Sequence, residues 1–343
     1  MINKNNLKVI ERYFAEYFGK YSVHFQKSLT VMIVGIMHSM SCSTGEISTS
    51  IASIFGKTFR AAEKQVSYLY SNSKFQVDDT MWRCYIKLIF NFLLEGNYIK
   101  KEGKTYIQID QTTIKDKFVI LYASIVFRGK AVPIYFSIRL YPTRKKQLDL
   151  VKMERAFFVR LNHCLSKIYS YVIVADRGFG NARIARYCRE FGFDYILRIK
   201  NDIRVGENGL SKLSEYKTSK SIKDIYIYAW KKRENIIIKK TEDAIWYIVS
   251  SLDLSERKTI IREYERRFKI EKCFFDQKSN GFNIEKLKIT KYSRVKRMIF
   301  CICITQALVL FSGDVIKHNH HTIKKTFPET VDLILAFSPL LNE

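Results

Sequence analysis

No internal repeat and no low-complexity linker interrupts the chain, which sets repeat architectures aside. The first residues, Met1 to Tyr13, are polar and charged, unlike a signal peptide. The longest apolar run, Met298 to Phe311, falls short of the roughly 20 residues a membrane helix needs and contains Thr305 and Gln306. It is expected to be a buried helix, and no membrane partner is expected. The seven cysteines are odd in number and lack framework spacing. That excludes a disulfide-stapled secreted scaffold and fits a reducing cytoplasm. Cys301 and Cys303 alternate with isoleucines in the apolar run and read as core residues rather than metal ligands.

Negative charge is the scarce sign. Asp and Glu number 33 against 59 Lys and Arg, a net charge of +26 over 343 residues. Such an excess points to an anionic partner, most simply nucleic acid. A basic protein with no such partner and a basic membrane-surface protein stay open at this point. The length suffices for a large core and two or three structural units.

Residues 1–103 read as helical. "NLKVIERYFAEYFGKY" and "TMWRCYIKLIFNFLLEGNYI" show helix-period apolar spacing. Between them, "STGEISTSIASIFGKTFRAAEKQVSYLY" predicts short capped helices, either a helix-turn-helix or part of an ordinary bundle. The texture changes near Lys104. "TYIQID", "FVILYASIVF" and "AVPIYFSIRL" read as strands, the last two joined by a basic turn. A helix is expected over about Gln147 to Lys167, then strand "YVIVAD", helix "NARIARYCREFG" and strand "FDYILRIK". The order β-β-β-α-β-α-β predicts an α/β domain with a mixed sheet and helices on its faces. Residues 201–241 read as a small β-rich insertion before "AIWYIVSSLDL" returns to the main sheet. The catalytic unit is thus placed at 104–311 and a tail at 312–343. "HNHH", His318 to His321, lacks nearby partners at ligand spacing and reads as polar tail.

The segment "YERRFKIEKCFFDQKS" is predicted to be one helix. At about 100° per residue, Tyr264, Arg267, Glu271 and Lys278 fall within roughly 60° of one another. Phe268, Phe274 and Phe275 lie on or beside that stripe, which is expected to point inward. Arg266, Lys269, Asp276 and Gln277 are expected to form the solvated face. Charges face inward at a cost unless they pair or bind something. Asp110 ends the strand in "YIQIDQT", and Asp176 ends the strand in "YVIVADRGFG". Either aspartate alone fits a turn starter or a helix cap. Together with Glu271 they offer three carboxylates, a set suited to hard cations such as Mg²⁺ and to two-ion phosphodiester chemistry. Arg267 and Lys278 would then position phosphates.

Tyr264, Arg267, Glu271 and Lys278 spell Y-x2-R-x3-E-x6-K in full. This resembles the signature of bacterial insertion-sequence transposases of the DDE type, the YREK group of the insertion sequence four-like superfamily. Asp110 in "IDQT" and Asp176 in "ADRGFG" resemble that family's first and second catalytic aspartates. The resemblance covers roughly residues 104–311. It implies a ribonuclease-H-like catalytic fold, with Asp110, Asp176 and Glu271 holding two Mg²⁺ ions for which Mn²⁺ substitutes. It also implies cleavage of double-stranded DNA at element ends and joining of the 3′-hydroxyl to target DNA, by a homodimer. The first hundred residues would bind the ends. Some members hold a flipped base with a tryptophan from the β insertion. Trp230 is the better candidate for that role, with core packing as its alternative, because Trp246 sits in an apolar strand-like run. A nuclease on the same fold without strand joining, and a non-catalytic DNA-binding remnant, are the competing functions.

Overall fold

The computed structural model describes residues 4–100, 102–141, 148–279 and 281–317. The histidine run lies outside them, as does the tail from residue 318. Five helices lead: α1 (Lys4–Phe18), α2 (Val23–Ser39), α3 (Thr44–Phe55), α4 (Phe59–Ser71) and α5 (Asp79–Glu95). Side chains set their starts: Ser22, Thr58 and Asp78 accept from the N–H groups of Phe25, Ala61 and Met81, capping α2, α4 and α5. Gly56, at φ +60°, ends α3 in the left-handed conformation that glycine adopts without strain. Only Gly56, Lys57 and Thr58 separate α3 from α4, a turn of helix-turn-helix length.

The sheet begins with β1 (Lys104–Ile114), β2 (Phe118–Phe127) and β3 (Lys130–Leu140). Arg128 and Gly129 both have positive φ, the turn that matches strand twist in a two-residue hairpin. Then come α6 (Leu148–Cys164), β4 (Ser170–Ala175), α7 (Ala182–Glu190) and β5 (Asp194–Ile199). The alternation expected from the sequence is the alternation found. Two short strands, β6 (Arg204–Val205) and β7 (Ser211–Lys212), precede β8 (Lys220–Ile227), β9 (Lys232–Lys240) and β10 (Ile245–Ser250). The strands form one sheet in the order β3-β2-β1-β4-β5-β10-β9-β8-β6-β7. β1, β4 and β5 run parallel, and the other pairs are antiparallel. Residues 201–241 are β-rich as expected, and β9 hydrogen-bonds directly to β10, so they prolong the main sheet.

The chain closes with α8 (Arg257–Arg266), α9 (Lys269–Lys278) and α10 (Tyr292–Lys317). The apolar run of the sequence is the middle of α10, and the helix is longer than the run suggested. Among the described residues α10 is the one helix long and apolar enough to cross a membrane, and most of it is buried within the protein. Cys301 and Cys303 are buried there, and all seven cysteines are free. The N-terminal helices share this core. Tyr85 on α5 donates to the Pro133 carbonyl on β3 at 2.6 Å and to the Cys303 carbonyl on α10 at 3.0 Å. Trp82 packs edge-on against both Phe136 and Phe300, with 5.0 Å between ring centres. Helices, sheet and α10 thus bury one continuous apolar cluster, while α8 covers a smaller one on the other face around Val172, Val174, Ile248 and Tyr264.

Candidate active site

Register brings the two aspartates together. Tyr106 pairs with Val172 and Gln108 with Val174 across the parallel β1–β4 ladder. Asp110 and Asp176 come one residue after the last β1–β4 pair, Ile109 with Ala175, so they continue that row about 4.8 Å apart in backbone terms. Asp176 follows the end of β4 as expected, but Asp110 does not end its strand, because β1 runs on to Ile114 in pairing with β2. Both alternate onto the face covered by α8 and α9. Asp110 Oδ1 accepts from its neighbour Gln111 N–H at 2.8 Å, and Asp176 Oδ1 accepts from Gly178 N–H at 2.8 Å.

The loop after Asp176 is fixed by close approach. A Cβ on Gly180 would lie 1.8 Å from the Arg198 carbonyl oxygen and 2.8 Å from its carbon, so the loop rests on β5 backbone. Gly180→Ala is expected to lift the loop, lower stability by about 1–3 kcal/mol and misplace Asp176. Denaturant midpoints check this, and an unchanged midpoint would mean that the loop has room to spare.

The helix of Tyr264 to Lys278 is broken in two. At the junction Arg267 N–H bonds Tyr264 O, and Ile270 N–H bonds Arg267 O, three residues back in each case. This 3₁₀ tightening ends α8 at Arg266 and starts α9 at Lys269, so the predicted single helix is two. Tyr264 and Arg267 are buried, whereas the Glu271 side chain is 54% exposed, so the inward orientation expected for Glu271 does not hold. Glu271 meets the site by reaching back one turn. Arg267 donates to Glu271 Oε1 at 2.8 Å and to Asp110 Oδ2 at 3.1 Å, with its guanidinium 4.5 Å from the centre of the Phe268 ring. Gln277, expected on the solvated face, is buried: it accepts from Tyr122 O–H at 2.9 Å and donates to Gln306 at 2.7 Å. Phe268 and Phe275 are exposed instead. Lys278 is half-buried and lies 3.8 Å from Glu285.

Electrostatics single out Asp110. Burial pushes its carboxyl up to about 6, against the Gln111 N–H and Arg267 that hold it down, with Asp176 and Glu271 pushing it further up. Two acids, Asp110 and Glu271, share one guanidinium, and the charge of Asp176 bears on Asp110. Their oxygens are the donor type a hard divalent cation takes, and the excess negative charge gives such an ion a reason to bind. Arg267, however, stands between Asp110 and Glu271, and among the described residues no three acids, histidines or cysteines are gathered closely enough to hold a metal as they stand.

Strand polarity separates the two tryptophans. β10 runs antiparallel to β5, with Tyr247 opposite Ile199, so its first residues lie at the sheet end that carries the aspartates. Trp246 is there. It packs at 5.2 Å on Tyr264 and 6.0 Å from Phe268, with Lys239 at 5.4 Å and Arg198 at 5.8 Å from its ring centre. Trp230 lies in a 3₁₀ turn before β9, whose nine residues span roughly 30 Å, so it sits at the opposite end. The tryptophan beside the carboxylates is therefore Trp246 and not Trp230. Strand parity carried this signal: Trp246 alternates with buried Tyr247 onto the face of Ile248, where α8 packs. Beside it a cleft of about 360 Å³ opens between Arg177, Arg198, Asn201, Ser214 and Lys217. Sequence reading passed over Arg198 and Lys217 because single basic residues are common in so basic a chain.

Residues 153–308 match the family model of the transposase DDE domain. The match spans Asp176 and Glu271 and supports a DDE-type transposase, a class of enzyme that acts on DNA. No curated protein matches the chain.

Proposed function

We propose that this chain is a transposase of the YREK group with a ribonuclease-H-like catalytic domain. It binds the ends of its element, cleaves the DNA there and joins the 3′-hydroxyl to target DNA. The observation that carries the reading is that Asp110 and Asp176 follow directly on the last pair of the parallel β1–β4 ladder, Ile109 with Ala175, while Arg267 links Asp110 to Glu271. These three acids would hold Mg²⁺, or Mn²⁺ in its place, which when bound activates the attacking oxygen and stabilises the leaving one. Arg267, released from Asp110, becomes a bidentate donor for a backbone phosphate, and Lys278 is exchanged from Glu285 to phosphate at little loss. Tyr264 is buried and acts on DNA only through the ring it supports, Trp246.

The α3–α4 pair is the proposed end reader, since α4 presents Arg60, Lys64 and Tyr68 to solvent. Two copies would hold two ends in a homodimer, acting in the cytoplasm. The deciding experiment incubates the protein with the DNA flanking its own gene and Mg²⁺, then maps cleaved and joined products. Cleavage without joining would turn the reading to a nuclease, and neither product would overturn it. For the tryptophans, Trp246→Ala is expected to cost about 1–3 kcal/mol of binding to an unpaired terminal base, while Trp246→Phe keeps most of it. Trp230→Ala should change little. A fluorescent base analogue at the DNA terminus reads the stacking, and equal losses in the two alanine variants would reject the assignment.

A further inference from the structure

A second basic hollow lies on the other side of the aspartates. It encloses about 240 Å³ at the edge strand β3, between α6 and the first turns of α10. Arg139, Arg160, Lys296 and Tyr292 line it, with backbone of Ser137 and Ile138. β3 and β1 are both antiparallel to β2, so they run in the same direction. Asp110 pairs with Tyr122, and Tyr122 pairs with Phe136. Arg139 follows Phe136 by three residues, so it lies two strands across and three residues further along, about 14 Å from Asp110 in backbone terms, and it alternates onto the α6 face of the sheet.

The hollow is cationic and its charges are under-compensated. Neither Arg139 nor Arg160 makes an ion pair or hydrogen bond among the described residues, and both are exposed. Lys296 is partly buried and spends its ammonium on the Val77 carbonyl at 2.7 Å. Burial, with Arg160 and Arg139 facing it, lowers Lys296 from the usual lysine range, while Asp78 and Asp79 act in the opposite direction. Tyr292 is held upright by its bond to the Ile138 carbonyl at 2.9 Å. Repelling cations around a small concavity are what a phosphate relieves.

We propose that Arg139, Arg160 and Lys296 form a phosphate-binding site that holds the DNA backbone on the β3 side of the scissile bond. With the cleft of Arg177, Arg198 and Lys217 on the β5 side, the strand order then places one basic hollow toward the β3 edge and one toward β5, with the aspartate-bearing strands between them. The site takes a backbone phosphodiester, contributed either by the DNA flanking the element or by the target duplex. The inference rests on the DNA reading above.

The test compares wild-type protein, Arg139→Ala/Arg160→Ala and Arg139→Lys/Arg160→Lys. Because neither arginine has a partner to lose, all three are expected to melt alike. Binding is measured by anisotropy at several salt concentrations on two duplexes made from the gene's own flanks, one stopping at the cleavage point and one continuing through it. The alanine variant should bind the continuing duplex about ten- to hundredfold more weakly, with a salt slope shallower by about 0.9 for the lost phosphate. The lysine variant should recover most of both. A loss confined to the continuing duplex assigns the site to flanking DNA. A loss seen only when protein already holding cut ends captures an unrelated duplex assigns it to target DNA. Wild type that binds while the alanine variant matches it in affinity, slope and capture overturns the site. Wild type that binds no duplex overturns the DNA reading and the site together.

Discussion

Arg267→Ala is expected to destabilise the protein severely at pH 8 and far less at pH 4. The side chain is 4% exposed and is the cation bonded to both Asp110 and Glu271. Removing one partner of a buried pair leaves the other charged and unpaired, a loss of about 3–5 kcal/mol. The pH dependence follows from Asp110. Its folded carboxyl already lies up at about 6, above the ordinary 3.8. An acid raised in the fold weakens the fold when ionised: the penalty is absent below the unfolded value and fully present above the folded one. Arg267 holds that value down, so its loss raises it further and widens the penalised range upward in pH. Below about pH 4 Asp110 is protonated in both states, and only the packing against Phe268 is lost. Arg267→Met, which keeps most of that packing, should be nearly normal at pH 4. Melting curves across pH decide the matter; a deficit of the same size at every pH would show that Arg267 acts as a packing residue.

The second large effect concerns the acids. Glu271→Gln and Asp110→Asn are each expected to reduce Mg²⁺-dependent cleavage by about two to three orders of magnitude, as loss of an electrostatic stabiliser at the reacting centre does. Their stabilities should diverge. Asparagine imitates the protonated acid, so Asp110→Asn removes the ionisation penalty. A rise from 3.8 to about 6 corresponds to a gain of up to about 3 kcal/mol above pH 6, vanishing below about pH 4. Glu271 is more than half exposed, so Glu271→Gln should leave the melting temperature close to normal. An inactive but stabilised Asp110→Asn protein is the signature of a site held together against its own repulsion. A Glu271→Gln protein that is well folded and still cuts at the normal rate would remove Glu271 from the chemistry.

How much of this was legible beforehand depended on the length scale of the signal. β2 and the helix α7 could be read from local pattern, because alternation and capping act within a few residues. Asp176 could be seen ending its strand, whereas the strand of Asp110 runs on to Ile114, and the adjacency of the two is a matter of register between segments far apart in sequence. A regular helix was the natural assumption for Tyr264 to Lys278. The 3₁₀ tightening at Arg267 has no strong local marker, so the division of the segment into α8 and α9 could not be read from it. Gln277 looked like a surface residue because its partners, Tyr122 and Gln306, come from distant elements. Trp246 was masked by its apolar neighbours, although counting alternate positions from Ile248 would have turned it toward α8.

The unbroken ladder from β3 to β7 also limits the shapes DNA can take against this protein. Ten strands make nine steps, and each step rotates a sheet by about 20–25°. The β8–β9 hairpin, three to four steps from the carboxylate-bearing β4, is thereby turned roughly 60–100° from it. A rigid, straight duplex cannot lie flat against both. If the hairpin bearing Trp230 and Lys231 touches nucleic acid at all, it does so from another side of the double helix than the carboxylates do, or on a second segment of DNA. The sheet works as a screw-shaped spacer, so lengthening or shortening β8 and β9 would change the angle between two DNA paths rather than the strength of either contact.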